Sequence, residues 1–338
     1  MKTENKRAWE YAEKTLNKVS RTFALNIRVL GKILKRPVLL AYLYMRMADT
    51  IEDDPDLPAE EKVSLLKKFS KAISTGGQSI DEFTEALPKS WESNRKEDCF
   101  LCCNARLVIP LLSEYAEPVA SAIKKGVGEM CEGMAEFILR QSKQKGDWFT
   151  IESEKDLDRY CYFVAGLVGN MLTELFCFSG KKIGEERQKK LRERAVSFGL
   201  ALQLVNIIKD IRDDFLRNVC FVPMEFCRKH GINSVQQFFS PEVQQEKKNF
   251  VISELTKKAK RHLQDAKDYI KTLPRHEHRI RLFCLWPSLM AADNLRVISE
   301  GGKKITRKTV KRIIRRSTFF GWSNRWIENE FKLLMGKC

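Results

Sequence analysis

Ala8, Tyr11, Ala12, Thr15, Leu16 and Val19 follow one another at steps that return side chains to one face of a helix. Comparable periodicity runs through long stretches of the chain, and the alternation of a half-buried strand is scarce. An all-α protein is predicted. Residues 37–48 and 198–208 are apolar nearly all round, the mark of helices that belong in an interior. Residues 161–180 form the most apolar window, but it carries Asn170 and Glu174, which fits a core helix better than a membrane span. Breaks at 74–78, 142–146, 179–184, 231–234 and 300–302 are each short enough for a helix-to-helix turn, and none has the make-up of a flexible linker.

Both apolar windows run into carboxylates. Asp49, Glu52 and Asp53 stand at i, i+3 and i+4, so on a helix they project from one face within reach of a shared cation. Asn206, Asp210 and Asp214 repeat the logic at four-residue steps, with Asp213 one position off. Like charges at these spacings disfavour a bare helix, and buried carboxylates are costly unless paired or metal-bound. Hard oxygen donors without nearby Cys or His suit Mg²⁺, which commonly bridges carboxylates to substrate phosphates. Either cluster alone also reads as a solvated acidic face; extension from a buried helix favours function. If the clusters act together, segments separated by about half the chain must fold together, so a single domain over residues 1–338 is expected.

Composition narrows the classes. With 43% apolar residues the chain can bury a large core, and it is globular. Sixty-one basic against 44 acidic residues give a net charge of +17, which attracts nucleic acid, anionic headgroups or a diphosphate substrate without choosing among them. No nucleic-acid motif is legible, so that class would rest on scattered charge alone. The densest basic run, 303–316, reads as a solvated helix face, a phosphate-binding flap or a membrane-surface contact. Of ten cysteines, Cys99 and Cys102 make one C-x-x-C with no second, and the four histidines lack zinc-finger spacing. The cysteines are expected to be mostly small buried residues in a reducing compartment. The N-terminus lacks a signal-peptide apolar core, and a cytoplasmic protein is expected.

Four strings then align with one family. Residues 20–24 (Ser-Arg-Thr-Phe-Ala), 42–54 (from Tyr42 through Arg46 to the Asp49 cluster), 160–169 (Tyr-Cys-Tyr-Phe-Val-Ala-Gly-Leu-Val-Gly) and 203–210 (Gln203 to Asp210) resemble the squalene/phytoene synthase family, in order and over most of the chain. The resemblance implies an isoprenoid-synthase α-helical domain, with a central cavity between aspartate-rich helices. It implies Mg²⁺-dependent head-to-head joining of two allylic prenyl diphosphates. By it, Asp49, Glu52, Asp53, Asn206, Asp210 and Asp214 hold metal, while Ser20, Arg21, Arg46, Gln203, Asn206, Lys209 and Arg217 contact diphosphate. Arg46 also reads as an ion-pair partner of the adjacent acids. Tyr160 matches a tyrosine of first-step cation and proton handling, and Tyr42 another pocket tyrosine; by spacing alone either is more often a core aromatic with its hydroxyl satisfied. Gly166 and Gly169 in an apolar helix imply close packing or room for a prenyl chain.

The 160–169 string, Phe283-Cys-Leu-Trp-Pro287 and the stretch holding Lys304, Arg307 and Lys308 resemble the squalene synthase branch more than the phytoene branch. That branch implies two farnesyl diphosphates as substrates, presqualene diphosphate as intermediate, and NADPH-dependent reduction to squalene on a sterol or hopanoid route. Phe283, Lys304, Arg307 and Lys308 then become the NADPH candidates, without a Gly-x-Gly-x-x-Gly fingerprint. Alternatives are a phytoene or dehydrosqualene synthase, an enzyme that stops at presqualene diphosphate, and a non-catalytic helical assembly factor. Lys209 and Val219 stand where relatives often have arginine, which leaves Arg217 as the nearby basic candidate. The C-terminal membrane helix of eukaryotic relatives is not seen, so a bacterial-type enzyme is expected, peripheral at the inner face of the membrane where a water-insoluble product would leave.

Overall fold

The computed structural model describes residues 2–93, 96–144, 148–179 and 183–336, apart from the side chains of residues 2–4 and 21–22. The chain divides into two compact units, Met1–Ser142 with Asn170–Lys181, and Lys143–Gly169 with Lys182–Cys338. Nearly all of it is helix, as the periodicity predicts. Among the described residues the only strands form a two-residue parallel ladder, Phe149 on Val219 and Thr150 on Cys220, too short to show alternation in sequence.

In the first unit, the Lys2–Val19 helix buries Ala8, Ala12, Thr15 and Leu16, the face read from the sequence. Ser20 caps the next helix, Arg21–Val29, by accepting from the Phe23 backbone N–H at 3.2 Å. The Lys32–Asp53 helix buries residues on every side, among them Leu39, Leu40, Leu43, Tyr44, Met47 and Ile51. Tyr44, fully buried, donates its hydroxyl to the carbonyls of Val108 and Ile109. Gly76 and Gly77, at φ of 66° and 56°, turn the chain between Ala59–Thr75 and Gln78–Glu85, a conformation glycine adopts without a steric penalty.

The second unit is organised around the 32-residue helix Glu185–Leu216, which packs most extensively on Gln245–Thr272. It also packs on His278–Ser299 and on the segment around Tyr162–Gly166, a π-helical turn inside the continuous helix Glu154–Ser179. A Cβ on Gly169 would lie 2.0 Å from the Ala195 carbonyl oxygen, and one on Gly199 would lie 2.1 Å from that of Ala165. The backbones therefore touch where both helices lack side chains, so close packing accounts for Gly169. Gly169→Ala is expected to lower stability by about 3 kcal/mol or more, because backbone cannot yield as a side-chain tip can. Gly128→Ala, in a helix interior with only the Ser70 hydroxyl 3.5 Å away, is expected to raise stability by about 0.5–1 kcal/mol. Thermal melts of the two variants check the contrast.

Glu154–Ser179 is long and apolar enough to cross a membrane by length and composition, yet 56% of its most apolar window is buried in the protein. Among the described cysteines all are free, and all but half-exposed Cys103 are buried, as expected for small apolar residues. Burial pushes the thiols of Cys220 and Cys227 up to about 12, away from reactive thiolate.

Candidate functional site

Both carboxylate clusters end their helices. The Lys32–Asp53 helix finishes on the first cluster, and the Glu185–Leu216 helix carries Asp213 and Asp214 in its last turn; neither last turn contains a basic residue. The negative end of the helix dipole already disfavours anions there, so each cluster adds charge where a cation is needed.

In the first unit, burial pushes the Asp49 carboxyl up to about 7, opposed by the Arg46 charge and reinforced by Asp53 and Asp98. About a third of the Asp49 side chain (34%) still reaches solvent, so an ion has access. Arg46 lies 3.9 Å from Asp49 but is committed elsewhere: it donates to both Asp98 oxygens, at 3.0 and 2.8 Å. The local ion pair expected from spacing is therefore the weaker of its two. Asp98 lies on the Glu97–Cys103 helix, and no sequence interval ties it to Arg46. Lys62 is a second cation missing from the sequence reading. It donates to the Glu52 carbonyl at 2.7 Å, in the field of Asp54, Glu52 and Asp53. Asp54 has a structural task, accepting from the Asp56 and Leu57 N–H groups and the Trp91 indole. Tyr42 packs against Phe23 with centroids 5.3 Å apart; burial raises its pKa and a Ser20 hydrogen bond opposes this. The Arg21 side chain lies outside the described residues.

In the second unit, Gln203, Asn206 and Asp210 share one helix face at i, i+3 and i+7. Lys209 binds its neighbours, donating to the Asn206 amide oxygen at 3.0 Å and lying 3.2 Å from Asp210. Asp214 is buried and accepts from Arg217 at 2.5 Å. Burial raises its pKa, and Arg217 opposes the rise. Tyr160 is buried and stacks on Phe221, centroids 4.6 Å apart at 23°. Phe283 is buried in the His278–Ser299 helix, whereas Lys304, Arg307 and Lys308 are exposed before and in the first turn of Arg307–Phe320.

Among the described residues no three His, Cys, Asp or Glu side chains converge as a ready-made metal cage. Mg²⁺ does not demand one, since it usually takes one or two carboxylates and completes its shell with water and substrate phosphates. The hard oxygen donors of the carboxylates at each helix C-terminus fit that ion. Likewise the exposed cations Lys304, Arg307 and Lys308 fit the phosphates of a nucleotide.

Comparison with known proteins completes the picture. The squalene/phytoene synthase family model matches residues 16–316. The chain belongs to the squalene/phytoene synthase family. It is 33% identical over 283 residues to squalene synthase of Schizosaccharomyces pombe, a match covering 84% of this chain and 58% of that protein. To squalene synthase of Cyberlindnera jadinii it is 31% identical, covering 86% of this chain and 62% of that protein. The chain thus spans about three-fifths of the length of these relatives. The solved complex of TcSQS with the ligand E5700 superposes with a TM-score of 0.80 at 25% identity, over 98% of this chain and 91% of that one. The fold is the all-α isoprenoid synthase fold of this family.

Proposed function

We propose that this squalene/phytoene synthase family member is a prenyltransferase, a squalene synthase that joins two farnesyl diphosphates head to head. The observation that carries the reading is the pair of helix C-termini loaded with carboxylates and left without a basic residue in the last turn. Residues 1–338 act in it as one functional domain. Asp49, Glu52 and Asp53, and Asn206, Asp210 and Asp214, would hold Mg²⁺. Bound there, Mg²⁺ supplies positive charge against the diphosphate that leaves.

The chain's own cations do the rest of the anion work. Arg46, fixed by Asp98, presents an immobile guanidinium, and Lys62, Lys209 and Arg217 stand beside the acids as further diphosphate contacts. Arg21 and Gln203 complete that set. Departure of the first diphosphate leaves an allylic cation, which apolar walls protect from water. Tyr160, held by Phe221, is placed to stabilise the cation with its ring and to relay the proton lost on joining. Tyr42, with its pKa raised by burial, plays the same part in the first unit. Presqualene diphosphate then loses its diphosphate, rearranges and takes a hydride. NADPH would supply that hydride, with Lys304, Arg307 and Lys308 on its phosphates and Phe283 beside its ring. Squalene is insoluble in water and leaves into a membrane that the protein touches peripherally, on the cytoplasmic side.

Product analysis with farnesyl diphosphate and Mg²⁺, with or without NADPH, tests the two steps. Squalene with NADPH and presqualene diphosphate without it is expected. Presqualene diphosphate in both tubes removes the reductive step, and turnover of geranylgeranyl diphosphate alone moves the protein to the phytoene branch.

A further inference from the structure

The Arg307–Phe320 helix is loaded with cations beyond what its packing requires. Ile313 and Ser317 face inward; Lys311, Arg315 and Phe319 form an outward row at four-residue steps, all exposed. Among the described residues neither Lys311 nor Arg315 has an ion-pair partner. The acids near this helix are already engaged, Asp293 with Arg296 and Arg312, and Glu330 with Arg316. The outward row therefore presents uncompensated positive charge.

At its C-terminal end the row meets an aromatic corner. Phe319 is 68% exposed, Phe320 51% and Trp322 51%. Single exposed hydrophobics are ordinary, whereas three within four residues form a patch. The corner is also rigid. Arg281, fully buried, donates to the Gly321 carbonyl at 3.1 Å and ties that turn to the Ile270 and Leu273 carbonyls and the Asn324 side chain. The Trp322 indole N–H donates to the Phe319 carbonyl at 3.0 Å, so the ring is held outward with its polar atom satisfied. Phe320 leans on Trp326, which Arg316 covers in turn.

Cations on one helix face, ending in aromatic rings fixed toward solvent, match an interfacial membrane contact. The aromatics gather at one end and are not interleaved with the cations as base-stacking platforms along a strand would be. We infer that Lys311 and Arg315, with the corner at Phe319, Phe320 and Trp322, dock the protein on an anionic lipid surface. The proposal deepens the catalytic reading by naming the surface near which a lipid-soluble product is released. Vesicle binding without substrate tests it separately from turnover.

The experiment is co-sedimentation of the full chain with phosphatidylcholine vesicles, with and without phosphatidylserine, at two salt concentrations. Binding only to the phosphatidylserine vesicles, weakening with salt, is expected. Lys311→Glu with Arg315→Glu weakens binding at least about 25-fold, since each of the two surface cations contributes roughly fivefold. Phe319→Ser with Trp322→Ser also weakens it while leaving the salt dependence. Lys67→Glu with Lys68→Glu, which removes the same charge from an exposed face of Ala59–Thr75, leaves binding unchanged. If the charge reversals fail to fold, Lys311→Gln with Arg315→Gln reads the same surface with a smaller loss. Absence of binding to anionic vesicles, equal losses in both charge-reversed pairs, or binding to single-stranded RNA in place of vesicles would overturn the proposal.

Discussion

Asp49→Ala and Asp210→Ala each reduce Mg²⁺-dependent turnover of farnesyl diphosphate by about 10²–10³-fold or more, the scale of losing one electrostatic stabiliser of a developing anion. Neither loss is rescued by the other motif, because two diphosphates must leave in the proposed reaction. Stability should change little. Asp49 is a carboxylate at the negative end of a helix, with burial working against its charge, so its removal relieves an unfavourable arrangement. Asp210 is partly exposed beside Lys209, and a surface pair of that kind contributes little. Steady-state rates with circular dichroism melts separate the two effects. Near wild-type turnover in either variant would remove the metal assignment for that motif.

The second large effect is in pH. The folded Asp49 carboxyl stands at about 7, above the roughly 4 of an unfolded aspartate. Below pH 7 Mg²⁺ must displace a proton, so the Mg²⁺ needed for half-maximal rate rises about tenfold for each pH unit below 7 and levels off above it. The same shift acts on the metal-free protein with a definite sign. A raised carboxyl pKa contributes stability fully present below the unfolded value and lost as pH rises through about 7. Melting temperatures without metal should therefore carry a component that declines between about pH 4 and 7, and Mg²⁺ should restore stability at neutral pH. Asp49→Asn removes both the Mg²⁺ slope and that component. A Mg²⁺ requirement independent of pH between 5.5 and 7, roughly the window in which this group titrates, would contradict the assignment.

Much of this was legible in residue spacing. The inward face of Lys2–Val19, the burial of 37–48, and the placement of Asp49, Glu52 and Asp53 on adjacent turns follow from helical periodicity, which is local. Distant pairings were not legible. Asp98 fixes Arg46 from 52 residues away, and Lys62 approaches Glu52 across a turn; neither leaves a periodic trace. Gly169 announced itself as an anomaly in an apolar helix, but its reason, the Ala195 carbonyl, lies on another helix. The π turn at Tyr162–Gly166 and the Phe149–Thr150 ladder are set by packing and are too short for propensity to register. Arg281 read as one more contributor to a basic chain; only its carbonyl partners reveal why a guanidinium is buried there.

The measurement that tests the central claim most directly is chromatographic identification of what purified protein makes from farnesyl diphosphate, with Mg²⁺ and with Mg²⁺ chelated. Release of inorganic diphosphate together with a head-to-head joined product, present with Mg²⁺ and absent with chelator, is the predicted result. Unchanged farnesyl diphosphate in both tubes, with no turnover of geranylgeranyl diphosphate, would contradict it.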